Sequence, residues 1–302
     1  MRLREGVVTC PILRLKEYPS AQAETTDEVL YGMTVQLLDR TLTDWAYVET
    51  EYGYCGYAKL SGLELRRSAV RRWSRAEKLV ICASAADVFE VAGYKNPFVC
   101  TLPKGSLVEK DGYMAQAGWT RIRLVKGGSF YIRESMAEPV LHEPASDEQE
   151  ELLREKLVKT AMSYLNVPYR WGGKTPWGID CSGLCSMTYL LHGIRIWRDA
   201  QIQAGYPVRE IPVCQVKPGD LLYFPGHMAL YIGELRYVHA TGRTGDDRVV
   251  IGSLDPKDPA YREDLAETIL TAGTVFPRSR NRPDRSKSRD ETEDQPVSSE
   301  AS

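Results

Sequence analysis

The sequence predicts an α+β protein, with two small β-barrels in series ahead of a mixed domain. Three observations carry the prediction. Between about residues 7 and 65, strand-length runs alternate with turn residues. A comparable order returns between about 80 and 140, as a degenerate internal repeat. From about residue 150 onward, two stretches of helical periodicity are followed by a run of adjacent strands.

In the first unit (residues 1–65) the spacing predicts strands over 34–39, 45–50 and 53–58, opened in turn by Thr34, Trp45 and Gly53. In the second (66–142), Gly105 precedes a strand, Gly118-Trp119 opens the next, and Gly127-Gly128 leads into the last, which ends at Arg133. Trp45 and Trp119 are read as core residues, because a buried indole is mainly apolar area.

Residues 143–150 form a linker into a helix with Ser146 or Asp147 as N-cap, and 143–279 is the third domain. Leu153, Leu157, Ala161 and Leu165 mark the helix's buried face, and Val167-Pro168 ends it, since proline disfavours helical geometry in the residue before it. An aromatic, glycine-rich loop (Tyr169, Trp171, Gly172, Gly173, Gly178) then leads to Cys181, from which Leu184, Met187 and Leu191 recur at helical spacing until His192-Gly193. Trp197 to Gln203 reads as a short surface helix, in which Arg198 and Asp199 read equally as a solvated pair or, with Gln203, as part of a cleft wall. Strands follow over 221–224, 227–233, 236–241 and 248–251. Residues 280–302 lack apolar periodicity and read as a disordered tail.

Composition bounds the function. The 302 residues suffice for about two or three domains. A formal net charge of −2, from 39 basic and 41 acidic residues, gives no electrostatic case for a nucleic acid or membrane partner. No segment approaches the ~18 consecutive apolar residues of a membrane helix, and residues 1–8 lack a secretion signal's apolar run, so a cytoplasmic monomer is expected. Seven cysteines without close paired spacing suit reduced thiols.

Cys181 heads a helix, where backbone N–H groups and the helix dipole are expected to lower the thiol pKa from about 8.5. Of four histidines, two, His227 and His239, fall on adjacent strands downstream. They can neighbour each other across an antiparallel pair, with His227 as base for Cys181 and His239 orienting its ring. A lone cysteine at a helix start is more often inert than catalytic. A zinc site from Cys181, Cys185, His227 and His239 lacks a paired C-x₂-C spacing. No cofactor is called for.

Pro168-Tyr169-Arg170-Trp171-Gly172-Gly173, then Asp180-Cys181-Ser182-Gly183, then Pro218-Gly219-Asp220-Leu221, then His227 to Gly233, and finally His239 occur in that order. In this the segment from 150 to 277 resembles the NlpC-type cell-wall cysteine peptidases, whose fold is papain-like. The two N-terminal units resemble bacterial SH3-like barrels. Met228 departs from the small or β-branched residue common after the family's histidine. The resemblance implies that Cys181 is nucleophile, His227 base and His239 the third polar residue. It implies cleavage of murein stem peptides after γ-D-glutamate, with the backbone N–H of Cys181 meeting the oxyanion.

The barrels-then-peptidase order is similar to the γ-D-glutamyl-L-diamino acid endopeptidases of murein recycling, in which the first barrel walls off one end of the cleft. By that likeness Tyr169 and Trp171 line the pocket, and Asp180 and Ser182 contact the L-Ala-γ-D-Glu portion. Glu28 and Tyr54 are the first barrel's candidates for the free amine or the glutamate. Two rivals stay open at this point: an exported hydrolase of intact wall, and a non-catalytic wall-fragment binding protein.

Overall fold

A computed structural model describes residues 4–41, 43–112, 117–141 and 150–277. The expected linker with its N-cap, Ser146 or Asp147, and the expected tail lie outside these residues, apart from Glu150, which opens a helix.

The first sheet is built from β1 (Arg4–Val8), β2 (Ile12–Lys16), β3 (Thr25–Leu30), β4 (Thr34–Arg40), β5 (Trp45–Thr50), β6 (Cys55–Lys59) and β7 (Leu63–Glu64), in the order β3-β2-β6-β5-β4-β1-β7. The helix α1 (Arg67–Arg75) follows. The second sheet contains β8 (Lys78–Ile81), β9 (Ala85–Phe89), β10 (Phe98–Pro103), β11 (Leu107–Lys110), β12 (Trp119–Arg123), β13 (Ser129–Arg133) and β14 (Ala137–Pro139). Its order, β10-β9-β13-β12-β11-β8-β14, is that of the first sheet with every strand number raised by seven. The duplication reaches fine detail, because the β2–β3 and β9–β10 pairs carry a register shift at the same end. Trp45 and Trp119 are buried, as expected of core residues.

The sequence reading did not foresee α1. Its Val70 and Trp73, three residues apart, turn one face inward, and the Trp73 indole N–H donates to the Gly32 carbonyl at 2.8 Å. The helix thereby ties the second sheet's core to the turn between β3 and β4.

In the third unit α2 (Glu150–Met162) buries Leu153, Leu157 and Ala161. A short hairpin, β15 (Lys174–Thr175) with β16 (Gly178–Ile179), leads into α3 (Cys181–Leu190). The sheet comprises β17 (Arg209–Ile211), β18 (Leu221–Phe224), β19 (His227–Gly233), β20 (Arg236–Thr241), β21 (Arg248–Ser253) and β22 (Thr271–Thr274), in the order β17-β22-β18-β19-β20-β21. The helix α4 (Glu263–Ala266) lies between β21 and β22.

Both faces of this sheet are covered. Leu221, Tyr223, Met228, Leu230, Val238 and Ala240 share a core with α2 and α3. The alternate residues, among them Leu222, Phe224, Ala229, Tyr231 and Tyr237, pack against Leu254, Leu265 and Ile269. Such two-sided burial explains why the strands read as near-continuous apolar runs.

The segment from Trp197 to Gln203 is not a helix; it crosses the junction with the first sheet as irregular chain. Nor is Arg198 solvated, being only 2% exposed.

Candidate active site

Asp180 sits in extended geometry as the N-cap of α3, and its Oδ1 accepts the Gly183 N–H at 2.6 Å. This cap fixes Cys181 as the first helical residue. Gly183 lets the helix start close on the preceding loop, since a Cβ there would stand 2.1 Å from the Gly173 carbonyl oxygen. The helix packs against β19. The thiol of Cys181 meets the backbone N–H of Met228, the residue after His227, and that of Ser182.

His227 begins β19 and His239 lies in the middle of β20. Their side chains meet, with Nε2 of His227 2.8 Å from Nδ1 of His239. That contact leaves Nδ1 of His227 as the ring nitrogen available to a proton donor. The two rings meet edge-on at 5.0 Å in a four-ring cluster with Phe224 against His227, Tyr237 against His239, and Phe224 and Tyr237 5.9 Å apart.

The structure corrects one expectation about this centre. Burial dominates over the helix start, and together with the Asp180 carboxylate it pushes the Cys181 thiol up to about 11; the N–H groups of Met228 and Ser182 and the Arg198 charge oppose it. Burial likewise pushes His227 down to about 4 and His239 to about 3. At neutral pH the Cys181 thiol and the two imidazoles are therefore neutral. Cys185, one turn on, is wholly buried in the core and its thiol is pushed well up.

Around this centre the first sheet and the third meet through a buried ionic network, which the sequence reading missed. Asp27, on β3, has no exposed surface. Its carboxylate accepts from Tyr52 Oη at 2.5 Å and Arg198 Nε at 2.6 Å, and lies 3.1 Å from Lys174 Nζ. Arg198 continues to Asp180, with Nη1 3.1 Å from Oδ1 and Nη2 2.9 Å from Oδ2, and donates through Nη1 to Ser182 Oγ at 2.6 Å. A single guanidinium thus links the first sheet to the cap of the Cys181 helix. Asp180 also accepts the Gly172 N–H at 2.8 Å. With this many donors, and 6% exposure, it is principally a structural anchor.

The remaining predicted residues fall along the same junction. Tyr169 is half-buried against Gly242, its hydroxyl pushed up to about 12, chiefly by burial. Trp171 is 60% exposed and donates its indole N–H to Glu24, the residue before β3, at 2.6 Å. Ser182 is buried between Asp180 and Arg198. Tyr54 donates to Asp199 Oδ1 at 3.1 Å, its ring 5.4 Å from Trp197, which stacks in turn on Tyr206. Asp199 is half-buried, and burial raises its carboxyl.

Glu28 differs from its expected role. It has no exposed surface, and its Oε2 accepts the Lys174 backbone N–H at 3.1 Å, so in this conformation it supports the β15–β16 hairpin and offers a ligand nothing to touch. The Pro218-Gly219-Asp220 motif is structural as well: Asp220 is buried and gathers Arg154 of α2, Lys217 and Thr274 of β22.

Comparison with known proteins agrees with this architecture. Residues 166–260 match the model of the NlpC/P60 family, and residues 17–63 match that of the bacterial dipeptidyl-peptidase SH3 domain. The chain is 41% identical over 274 residues to dipeptidyl-peptidase 6 of Lysinibacillus sphaericus, covering 90% of this chain and 99% of that one. It is 30% identical over 207 residues to the gamma-D-glutamyl-L-lysine dipeptidyl-peptidase of Bacillus subtilis, covering 64% and 62% respectively. Among solved structures, an NlpC/P60 family protein from Bacillus cereus superposes with a TM-score of 0.73 at 18% identity, over 90% of this chain and all of that one, which shows a shared fold.

Proposed function

Because the chain belongs to the NlpC/P60 family of peptidases, we propose that it hydrolyses the γ-D-glutamyl-L-diamino acid bond of murein stem peptides bearing a free N-terminal L-alanine, with Cys181 as nucleophile. The observation that carries the reading is the His227–His239 contact at 2.8 Å, with the Met228 N–H set against the Cys181 thiol. As Sγ attacks the γ-carbonyl carbon, Nδ1 of His227 takes the thiol proton, and His239 accepts the opposite N–H of the His227 ring. The N–H of Cys181 at the helix start meets the oxyanion. When the tetrahedral centre collapses, the imidazolium gives its proton to the leaving amine of lysine or diaminopimelate and an acyl-thioester remains. Water, deprotonated by His227, then attacks the thioester carbon and releases L-Ala-γ-D-Glu and the free thiol.

Neutral resting groups suit this sequence, since His227 stays unprotonated and able to accept at neutral and mildly acidic pH. Tyr169 and Trp171 flank the scissile bond, and Ser182 holds the dipeptide end. The Tyr54–Asp199 pair receives the ammonium of L-alanine: Asp199 is a half-buried carboxylate between the first sheet and the third, and an ammonium there needs a counter-charge. The same reading places the enzyme in the cytoplasm, working on imported fragments, in keeping with its seven free thiols.

Mass-spectrometric hydrolysis of L-Ala-γ-D-Glu-diaminopimelate, its lysine counterpart and their Nα-acetylated forms tests the proposal, using wild type and Cys181→Ala. Cleavage of the free peptides alone, lost in the variant, is expected. Cleavage of acetylated stems at equal rates would overturn the amine requirement, and cleavage of none would turn attention to a binding role.

A further inference from the structure

The segment after β21 carries Arg262, Asp264 and α4 across the face of the sheet to which His239 belongs. Tyr237 and His239 are two residues apart on β20 and share a face, and Leu254, Leu265 and Ile269 pack on that face against Tyr237 and Phe224. Arg262 is anchored there by its backbone N–H, which donates to the Ser253 carbonyl at 3.1 Å. Ser253 pairs with Arg236 at the start of β20, whereas the Arg262 guanidinium lies 4.0 Å from Asp246, just beyond the strand's other end. From this position the Arg262 charge bears on Tyr237, His227 and His239. Three buried polar atoms in this region, Tyr237 Oη, His239 Nε2 and Arg262 Nη1, have no hydrogen-bond partner among the described residues.

We propose that Arg262 is a positioning residue whose charge, set behind His239, keeps the His227–His239 pair in its unprotonated, base-competent form. A proton added to the pair would create an imidazolium in the field of the guanidinium, and among the described residues no carboxylate is hydrogen-bonded to either ring. The other groups facing the pair fit this assignment. Asp264 holds Arg262 through two contacts, at 2.8 and 2.6 Å, and its exposed carboxylate offsets part of the charge; Asp180 acts on His227 in the same sense as Asp264. Tyr237 presents a neutral hydroxyl, pushed up by burial, and Cys181 a neutral thiol. At both histidines burial and Arg262 act in the same direction, downward.

The inference rests on reading His227 as the base, so its test has a readout independent of turnover. The protonation of His227 and His239 would be followed by NMR in a Cys181→Ala background, beside the pH dependence of kcat/KM in active enzyme. Arg262→Gln is expected to raise the apparent pKa of the pair and move the acid limb of kcat/KM upward by about one pH unit, roughly a tenfold loss at the acid end. Arg262→Lys should restore most of it. Asp264→Asn, which leaves the guanidinium without its partial counter-charge, should move both readouts the opposite way, by less. A purely structural role would lower activity at every pH without moving the limb. Unmoved histidine titrations in both Arg262→Gln and Asp264→Asn would overturn the proposal. NMR shifts of the expected sign in an enzyme that cleaves no stem peptide would uphold it while removing the proposed substrate.

Discussion

Replacing Asp27 by asparagine tests whether the first sheet belongs to the active-site machinery. In the wild type, two buried carboxylates, Asp27 and Asp180, balance two buried cations, Arg198 and Lys174. Asparagine keeps the shape and one acceptor oxygen but leaves one cation uncompensated, and breaking a buried pair from one side costs about 3 to 5 kcal/mol. Lys174 offers a partial escape. Burial already lowers its ammonium to about 8, so at pH 7 its proton is held by only about 1.4 kcal/mol, and losing Asp27 lowers it further. The variant therefore sheds that proton on folding, and the loss at pH 7 falls toward the lower end of the range. As pH falls the unfolded lysine stays charged while the folded one resists charging, so the deficit widens. Urea unfolding of the whole chain at pH 6, 7 and 8, with kcat/KM on the free peptide, reads the effect. A deficit that grows from pH 8 to pH 6, with at least tenfold lower kcat/KM, is expected. Stability within about 0.5 kcal/mol of wild type at all three values would refute the reasoning.

Two further outcomes follow from the same geometry. Gly172 has φ of 72°, and a Cβ there would stand 2.4 Å from the Thr25 carbonyl oxygen of β3. Gly172→Ala is thus expected to unseat the first sheet at a cost of about 2 to 4 kcal/mol, seen as a lowered urea midpoint and as faster proteolysis of the first sheet. The buried histidines are neutral in the fold with pKa values depressed to about 4 and about 3, while in the unfolded chain they titrate near 6.5. Below pH 6.5 the unfolded state binds more protons, so stability present above that value is lost as pH falls toward 4, by up to about 1.4 kcal/mol per pH unit for each histidine. A His239→Asn variant should show a shallower decline of urea midpoint between pH 6.5 and 4; an unchanged slope would contradict the buried neutral state.

What was legible in the sequence was what local chemistry dictates. Periodicity and turn residues located three strands of each repeat unit, β4 to β6 and β11 to β13, and missed the rest, whereas the run from Tyr169 to Gly183 set a cysteine at a helix start, because a cap, a tight loop and an apolar stripe are all written within a few residues of one another. What stayed hidden depends on partners distant along the chain. Arg198 and Asp27 are 171 residues apart, and nothing near either one distinguishes a buried bridge from a solvated charge. Read alone, Arg198-Asp199 is a surface pair; placed at the junction, the two side chains part, Arg198 toward Asp180 and Asp199 toward Tyr54.

The thiol illustrates the same limit from the other side. A helix start argues for an acidic cysteine, and that argument is sound for a thiol in water. Here Cys181 is 7% exposed, and the cost of stripping water from a thiolate exceeds what the helix start returns. Depth, unlike the helix, is a property of the assembled domain: Cys181 lies in the core that α2 and α3 share with the sheet. The first sheet reaches the centre by supplying Asp27 to the Arg198 network. On the proposed mechanism, the base stays neutral in mild acid and the reactive ion pair forms as the substrate approaches.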